Sequence, residues 1–430
     1  MKVQVGILCI LFMLVLVACS DYGQQPTPTS SPSTPTTAQP ASDDPPLQLS
    51  PVTLEVAPGM ATGNFSVTRQ INLPPGFGIK VFASGLQHVR QLAVSPEGIL
   101  YATVRAEGRV VRLPDTIADG VADRVETVAG DMPGVHGIAF DTNGILHVAT
   151  EVQVIRLEDE DGDGTAEKRT VLIGDMPTGG EGRAGANHST RTIRFGPGPD
   201  GTKEKLYLSM GSSCNVCVQS DPRRAAITRY SPDGTFEKVY ASGIRNAVGV
   251  TFHPLTGEMW AVNNGRDGLG PDAPPEGVLN VKEDGNYGWP FCYGDRVPDP
   301  EMKPEPGYCD PVDVAAFYLP AHYAPLGLTF YYGKGFPAPF EGDMFVTSHG
   351  SWDRDVRYGY KVMRVRFKDN RPDTSQGESM VEDFATGWLL DPLSGEHWGR
   401  PVDLAVAPDG SLFLTDDAAM AIYKIYYKGR

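Results

Sequence analysis

A short apolar run, a Gly-containing turn and a second apolar run recur six times along this chain, and no other feature limits its fold as much. The copies begin at Leu92, Ile138, Ile193, Val250, Leu328 and Leu404. In the first, Leu92-Ala-Val-Ser-Pro-Glu-Gly-Ile-Leu-Tyr-Ala shows the whole unit. Between copies lie further strand-like runs such as Arg109-Val-Val-Arg-Leu and Lys361-Val-Met-Arg-Val-Arg-Phe. β-branched alternation, abundant Gly and Pro, and the lack of sustained helical periodicity fit four-strand antiparallel units rather than βαβ units. Six such units around a channel make an all-β, six-bladed β-propeller. A pair of β-sandwich domains leaves the sixfold recurrence without a cause.

In a propeller, the segment before each copy carries the chain from the outer strand of one blade to the innermost strand of the next, so all six segments open onto one end of the channel. Here they read His88-Val-Arg90-Gln91, Gly134-Val-His136-Gly137, Asn187-His188-Ser-Thr-Arg191, Gly243-Ile-Arg245-Asn246, His322-Tyr-Ala-Pro and His397-Trp-Gly-Arg400. Five of the eight histidines sit in them, and His349 follows a nearby strand. Basic and polar residues at one repeat position predict a convergent site. Arg offers a fork of donors to carboxylates and stacks on flat rings, while neutral His accepts a proton near pH 7, so the set suits an anionic, planar ligand.

The formal charge of −16 excludes a nucleic-acid partner, which needs clustered Lys and Arg. The N-terminus reads as a signal sequence: Lys2, an apolar stretch from Val5 to Val17, then Leu16-Val17-Ala18-Cys19, an ending that resembles a bacterial lipobox. Residues 1–18 are the expected signal peptide, Cys19 the lipidated residue, 19–48 a Pro/Thr/Ser-rich tether, and 49–430 the propeller. The expected location is the cell envelope, periplasmic or on the outer membrane face, with the lipid as sole membrane contact. A retained signal anchor is the alternative, and the apolar run is short for spanning.

Of the remaining cysteines, Cys214, Cys217, Cys292 and Cys309, proximity favours pairing 214 with 217 and 292 with 309; Cys214-Asn-Val-Cys217 also has metal-site spacing but no second ligand pair follows. Asp159-Glu-Asp161-Gly-Asp163 resembles a calcium loop, and Asp115-Thr-Ile-Ala-Asp119-Gly is a degenerate copy that points to an ancestral turn. Gly180-Glu-Gly182-Arg-Ala-Gly185 matches GxGxxG without the strand-to-helix setting that gives the pattern meaning. Phe330-Tyr331-Tyr332 reads as strand packing.

Asn187-His188 ahead of Ile193-Arg-Phe-Gly-Pro, Gly243-Ile-Arg245-Asn246-Ala-Val-Gly249 and Asp284-Gly-Asn286-Tyr287-Gly288-Trp289-Pro290 together resemble the soluble quinoprotein glucose/sorbosone dehydrogenase family. Ser348-His-Gly-Ser-Trp-Asp resembles its sorbosone dehydrogenase-like branch. The resemblance implies a propeller that binds pyrroloquinoline quinone (PQQ) and Ca²⁺ and oxidises a sugar by hydride transfer to the quinone, passing electrons to an external acceptor. It implies His188 as the catalytic base, Asn187, Arg245, Asn246 and Arg400 beside the cofactor, and calcium ligands on the backbone of Gly265 and Arg266. Charge and position add Arg90 as a holder of the cofactor's acids and Arg245 as stabiliser of the developing oxyanion, with His136 and His349 as further expected cofactor residues. Asp159, Asp161 and Asp163 are, from their own spacing, a separate structural calcium loop.

The sequence departs from the glucose enzymes where Asn187 replaces Asp, where Val402 replaces a second arginine, where a lysine region is rebuilt around His349, and where a glutamine loop shortens to Gly134-Val-His136-Gly. Glucose itself is therefore not implied. Two other functions compete: a calcium-dependent lactonase-like hydrolase, which needs a carboxylate-rich channel, and a non-catalytic extracellular binding propeller.

Overall fold

The computed structural model describes residues 46–178, 188–199, 201 and 203–429. The expected signal peptide, Cys19, most of the tether, Asn187 and the Gly180–Gly185 loop lie outside them. No described helix is long and apolar enough to cross a membrane.

Six antiparallel blades carry the six repeat copies. Their innermost strands are Val89–Val94, Gly137–Phe140, Arg191–Pro197, Ala247–Phe252, Pro325–Phe330 and Pro401–Val406, and the chain steps outward from each. Each innermost strand lies against those of both neighbours, which closes the ring. The repeated glycine has one physical cause: Gly98, Gly144, Gly201, Gly257, Gly342 and Gly410 turn the first strand into the second at φ between 67° and 89°, where a Cβ is penalised.

Two features refine the sequence-based architecture. The sixth blade takes its outer strand from the N-terminal side, Phe77–Ser84 pairing with Ala421–Tyr427, so both ends of the ring share one sheet. The third blade gains a fifth, parallel strand, Gly285–Asn286, from the Asp284–Pro290 motif. A hairpin of Ser50–Thr53 and Gln70–Leu73 packs on the seam of the fifth and sixth blades through Ile71 and Leu73.

Burial explains the strand patterns. Second strands such as Leu146–Ala149 and Met344–Ser348 are buried on both faces because a blade lies on either side, and they read as mostly apolar runs broken only by buried His147, Thr347 and Ser348. Outer strands such as Lys168–Ile173 keep a solvated face. An apolar cluster fills each seam, for instance Val110, Val135, Ile138 and Val148 between the first and second blades. Each such side chain contributes about 1.5–3 kcal/mol.

A polar staple then fixes the ring at the functional end. Near the end of four second strands, Thr103, Ser209, Thr347 and Thr415 donate their hydroxyls to carbonyls at the entry to the next blade: His136 O at 2.8 Å, Ala247 O at 2.6 Å, Val402 O at 2.6 Å and Arg90 O at 2.8 Å. Asn264 Nδ2 does the same to Pro325 O at 2.9 Å. These carbonyls belong to, or adjoin, the residues that the repeat places at the channel mouth.

Candidate functional site

Because the innermost strands run the same way round the ring, their starts share one end of the channel. There the side chains form two clusters. The first gathers on the third and fourth blades. His188 Nδ1 lies 3.0 Å from both the carbonyl and the hydroxyl oxygen of Ser212. A carbonyl only accepts, so Nδ1 carries the proton and Nε2 presents a lone pair. Burial, then the Arg245 charge, pushes the imidazole down to about 3, which keeps it neutral.

Two guanidiniums clamp the segment that carries this ring. Arg191 Nη1 donates to His188 O at 2.8 Å, and Arg224 Nη2 donates to His188 O at 3.1 Å and Ser212 O at 2.9 Å. Gly211 lets the ring approach, since a Cβ there would lie 2.6 Å from His188 Cβ and 2.4 Å from Asn246 Oδ1.

Arg245 spends all five N–H donors on the protein. Nε reaches Asn215 O (3.0 Å), Nη1 reaches Asn264 O (3.3 Å) and Gly265 O (2.6 Å), and Nη2 reaches Asn215 Oδ1 (2.8 Å) and Asp267 Oδ2 (3.2 Å). It therefore supplies charge and a rigid frame rather than a free donor. Asn215 sits inside the loop closed by the Cys214–Cys217 disulfide, and its carbonyl also accepts from Trp289 Nε1 at 3.3 Å. The Asp284–Pro290 motif thus acts on the site through Trp289, Asn215 and Arg245. Cys292–Cys309 closes the excursion that follows.

A cavity of about 140 Å³ opens beside these groups, lined by His188, Arg245, Asn246, Asp267, Glu276 and Trp352 among others. Buried Glu276 accepts from Gly265 N at 2.6 Å, and burial pushes its carboxyl up to about 7 against that hydrogen bond. Trp352, 65% exposed, stands at the rim.

The second cluster joins the first, fifth and sixth blades. Arg90 Nη1 meets Asp417 Oδ2 at 2.5 Å and His349 Nε2 meets Asp417 Oδ1 at 2.9 Å. Burial pushes His349 down to about 4 in spite of Asp417, so its Nε2–H donates to the carboxylate. Although burial favours the acid, His349, Arg90 and Arg400 hold Asp417 well below the usual carboxylate range. Arg400 donates to His349 O at 2.9 Å and Gly350 O at 3.1 Å. Fully buried His136 lies between the clusters, its Nδ1 3.2 Å from Arg191 O; burial, Arg90 and Arg105 disfavour its charged form. Arg105 ties the two entry segments together through Gly134 O (2.8 Å) and Ser189 Oγ (3.0 Å).

Not every entry residue faces inward. His88 is exposed, and His397 sits on the exposed two-residue strand Glu396–His397 with Nδ1 on Gly395 O at 2.8 Å, so the expected convergence of five histidines reduces to His136, His188 and His322, joined by His349. Gly265 O is engaged by Arg245, and the Arg266 side chain turns away to Asp299 at 2.8 Å and Glu301 at 2.9 Å. Sequence reasoning missed Arg105, Arg224, Ser212, Asn215, Asp267, Glu276 and Asp417, most of which lie in strand ends and loops outside the repeated entry position.

The Asp159 loop is fully exposed, and its carboxylates, with that of Glu167, approach within 4.8 Å of one another. Asp159 accepts from Gly162 N and Gly164 N at 2.7 Å each, and Asp115 accepts from Gly120 N at 3.0 Å in the degenerate copy, so a turn is common to both. A larger cavity, about 600 Å³, flanks that loop between the first and second blades and carries no histidine in its lining.

The family model described as TrAA12-like matches residues 71–428. An uncharacterized protein of Borreliella burgdorferi is 33% identical over 242 residues, which cover 56% of this chain and 61% of that protein. The pyrroloquinoline quinone-dependent pyranose dehydrogenase of Coprinopsis cinerea is 24% identical over 414 residues, covering 83% of this chain and 54% of that protein. The chain thus spans little more than half the length of these curated relatives. Among solved structures, the holo form of the pyranose dehydrogenase PQQ domain from Coprinopsis cinerea superposes with a TM-score of 0.70 at 22% identity, over 86% of this chain and 100% of that one. The calcium structure of the Trichoderma reesei carbohydrate-active enzyme of family AA12 gives 0.70 at 21%, over 83% and 96%. The PQQ-bound aldose sugar dehydrogenase of Streptomyces coelicolor gives 0.57 at 18%, over 82% and 99%. At these identities the superpositions speak to the fold. The family match reaches from the inner hairpin strand through all six blades to the strand that closes the ring, and the chain belongs to the TrAA12-like family.

Proposed function

We propose that this protein is a PQQ-dependent dehydrogenase that oxidises a CH–OH group of a sugar, an aldose or a sorbosone-like one, and passes the electrons to an external acceptor. The observation that carries this reading is His188: a neutral imidazole with its tautomer fixed by Ser212, facing a cavity backed by buried arginines. Such a base takes the proton from a substrate hydroxyl at Nε2. The Arg245 charge beside it stabilises the oxygen as negative charge develops. Exposed Trp352 at the rim offers a flat apolar face to a sugar ring.

The donor set fits the tri-acid quinone. Arg105, Arg191 and Arg400 make no ion pair among the described residues and rest their donors on neutral oxygens, where an anion can compete for them. Arg90 Nε, His136 Nε2 and Asn246 Oδ1 are buried without a partner among the described residues, as polar atoms reserved for a ligand are. Calcium fits oxygen donors at the Gly265–Arg266 backbone, beside Glu276. When bound, the quinone supplies the two-electron acceptor. Lipid anchoring through Cys19 and residence in the cell envelope complete the proposal.

The test is direct. Titrating the quinone with Ca²⁺ into purified protein should build the cofactor absorbance, and adding aldoses should bleach an artificial electron-accepting dye. A silent dye with every sugar in the panel, despite bound quinone, would turn the reading toward a binding propeller.

A further inference from the structure

At the edge of the cavity, which Asp267 and His322 line, stands a second group of donors that the proposed chemistry does not use. One carboxylate oxygen of Asp267, one of Asp353 and a ring nitrogen of His322 lie within 4.8 Å of one another. The three residues come from separate segments: the loop after the second strand of the fourth blade, the connection into the fifth blade, and the loop after the second strand of the fifth blade.

Each is arranged as a ligand. His322 is only 7% exposed, and its Nε2 lies 2.9 Å from Gly270 O. The carbonyl makes Nε2 the donor, so Nδ1 is left with its lone pair and has no hydrogen-bond partner among the described residues. A backbone carbonyl on the far ring nitrogen is how metal-binding histidines are oriented. Asp353 is part-buried, yet its carboxylate makes no hydrogen bond or ion pair among the described residues. Asp267 gives Oδ2 to Arg245 at 3.2 Å and its backbone N–H to Asn215 Oδ1 at 2.9 Å, which pins its position and leaves Oδ1 over.

We infer that Asp267, His322 and Asp353 form a side-chain site for a first-row divalent cation such as Zn²⁺ or Mn²⁺. An imidazole nitrogen with two carboxylates suits these ions, whereas Ca²⁺ takes six to eight oxygens. Ligands at about 2.0–2.2 Å from the ion stand no more than about 4.4 Å apart, so small side-chain rotations close the site. The ion ties the loop that carries Trp352 to the fourth blade and so fixes the rim of the cavity. This site differs from a calcium held by the Gly265 and Arg266 backbone, because its donors are side chains.

Calorimetric titration of the chelator-treated full chain with ZnCl₂, MnCl₂ and CaCl₂ tests this without quinone or sugar, so its outcome stands apart from the dehydrogenase reading. Zn²⁺ or Mn²⁺ is expected to bind more tightly than Ca²⁺. Binding should weaken by at least about 10-fold, the cost of losing even a supporting contact, in both Asp353→Asn and His322→Ala. Asp161→Asn, on the exposed acidic loop, should leave it unchanged. If His322→Ala fails to fold, Asp353→Asn decides alone, since its carboxylate supports no other contact. Unchanged Zn²⁺ and Mn²⁺ affinity in Asp353→Asn, or Ca²⁺ binding as tight as Zn²⁺ that Asp353→Asn weakens equally, overturns the inference.

Discussion

Around Asp417, Arg90 and His349 meet a carboxylate within 2.5 and 2.9 Å, whereas Arg105 and Arg191, a few residues away in the same ring, meet only carbonyls and a hydroxyl. In each group one arginine, Arg90 or Arg191, stands at a blade entry and one residue, His349 or Arg105, follows a second strand. One half neutralises itself, and its polar groups mainly lock three blades together. In the other half Arg245 pairs with Asp267, while Arg105 and Arg191 hydrogen-bond only to neutral oxygens and feel the Glu151 carboxylate at longer range. The contrast teaches that a basic residue at the repeated entry position is not by itself a ligand contact; the carboxylate that does or does not follow it in space decides.

The comparison breaks most visibly through stability. Arg90→Ala strands Asp417 in a buried setting and should cost about 3–5 kcal/mol in chemical denaturation. Arg105→Gln removes a cation that makes no ion pair among the described residues and should stay within about 1 kcal/mol of the parent, while weakening quinone binding. Equal losses from both variants would erase the distinction.

Gly211→Ala probes the geometry of the reactive half alone. Its Cβ would displace His188 and Asn246, and misplacement by about 1 Å is worth about 100-fold in turnover. A smaller effect is expected from Thr415→Val, which keeps shape but leaves Arg90 O without its 2.8 Å partner; about 1–3 kcal/mol of stability should go.

The last signal appears only in acid. The folded His188 pKa is depressed to about 3, so the unfolded chain binds the proton first as pH falls below 6.5. The stability held by neutral His188 is complete above 6.5 and is lost as pH drops toward 3. Melting curves of quinone-free protein should show the parent losing ground to His188→Gln across that window. A constant difference between the two would mean that the imidazole titrates normally.

Much of this was legible in the sequence, and for physical reasons. The blades repeat one burial pattern and one left-handed Gly turn, so Gly98, Gly144 and Gly257 announce them locally. His188, Arg245 and Asn246 were readable because blade entry always points to one end. The closing strand Phe77–Ser84 was not, since its partner Ala421–Tyr427 comes from the far end of the chain. Nor were Asp417 and Asn215: their roles depend on which neighbour they meet across the ring, and no spacing encodes that. His397 carried the same signal as His188 and landed on the exterior, because a short hairpin of Leu389–Asp391 with Glu396–His397 lifts it out before the sixth blade begins.

The most direct test of the central claim is single-turnover reduction of the bound quinone by an aldose in His188→Gln against the parent. A loss of about 10²- to 10⁴-fold in rate, with quinone affinity unchanged, is the predicted result. Reduction at the parental rate would contradict it, because the sugar proton would then be leaving to a base other than His188.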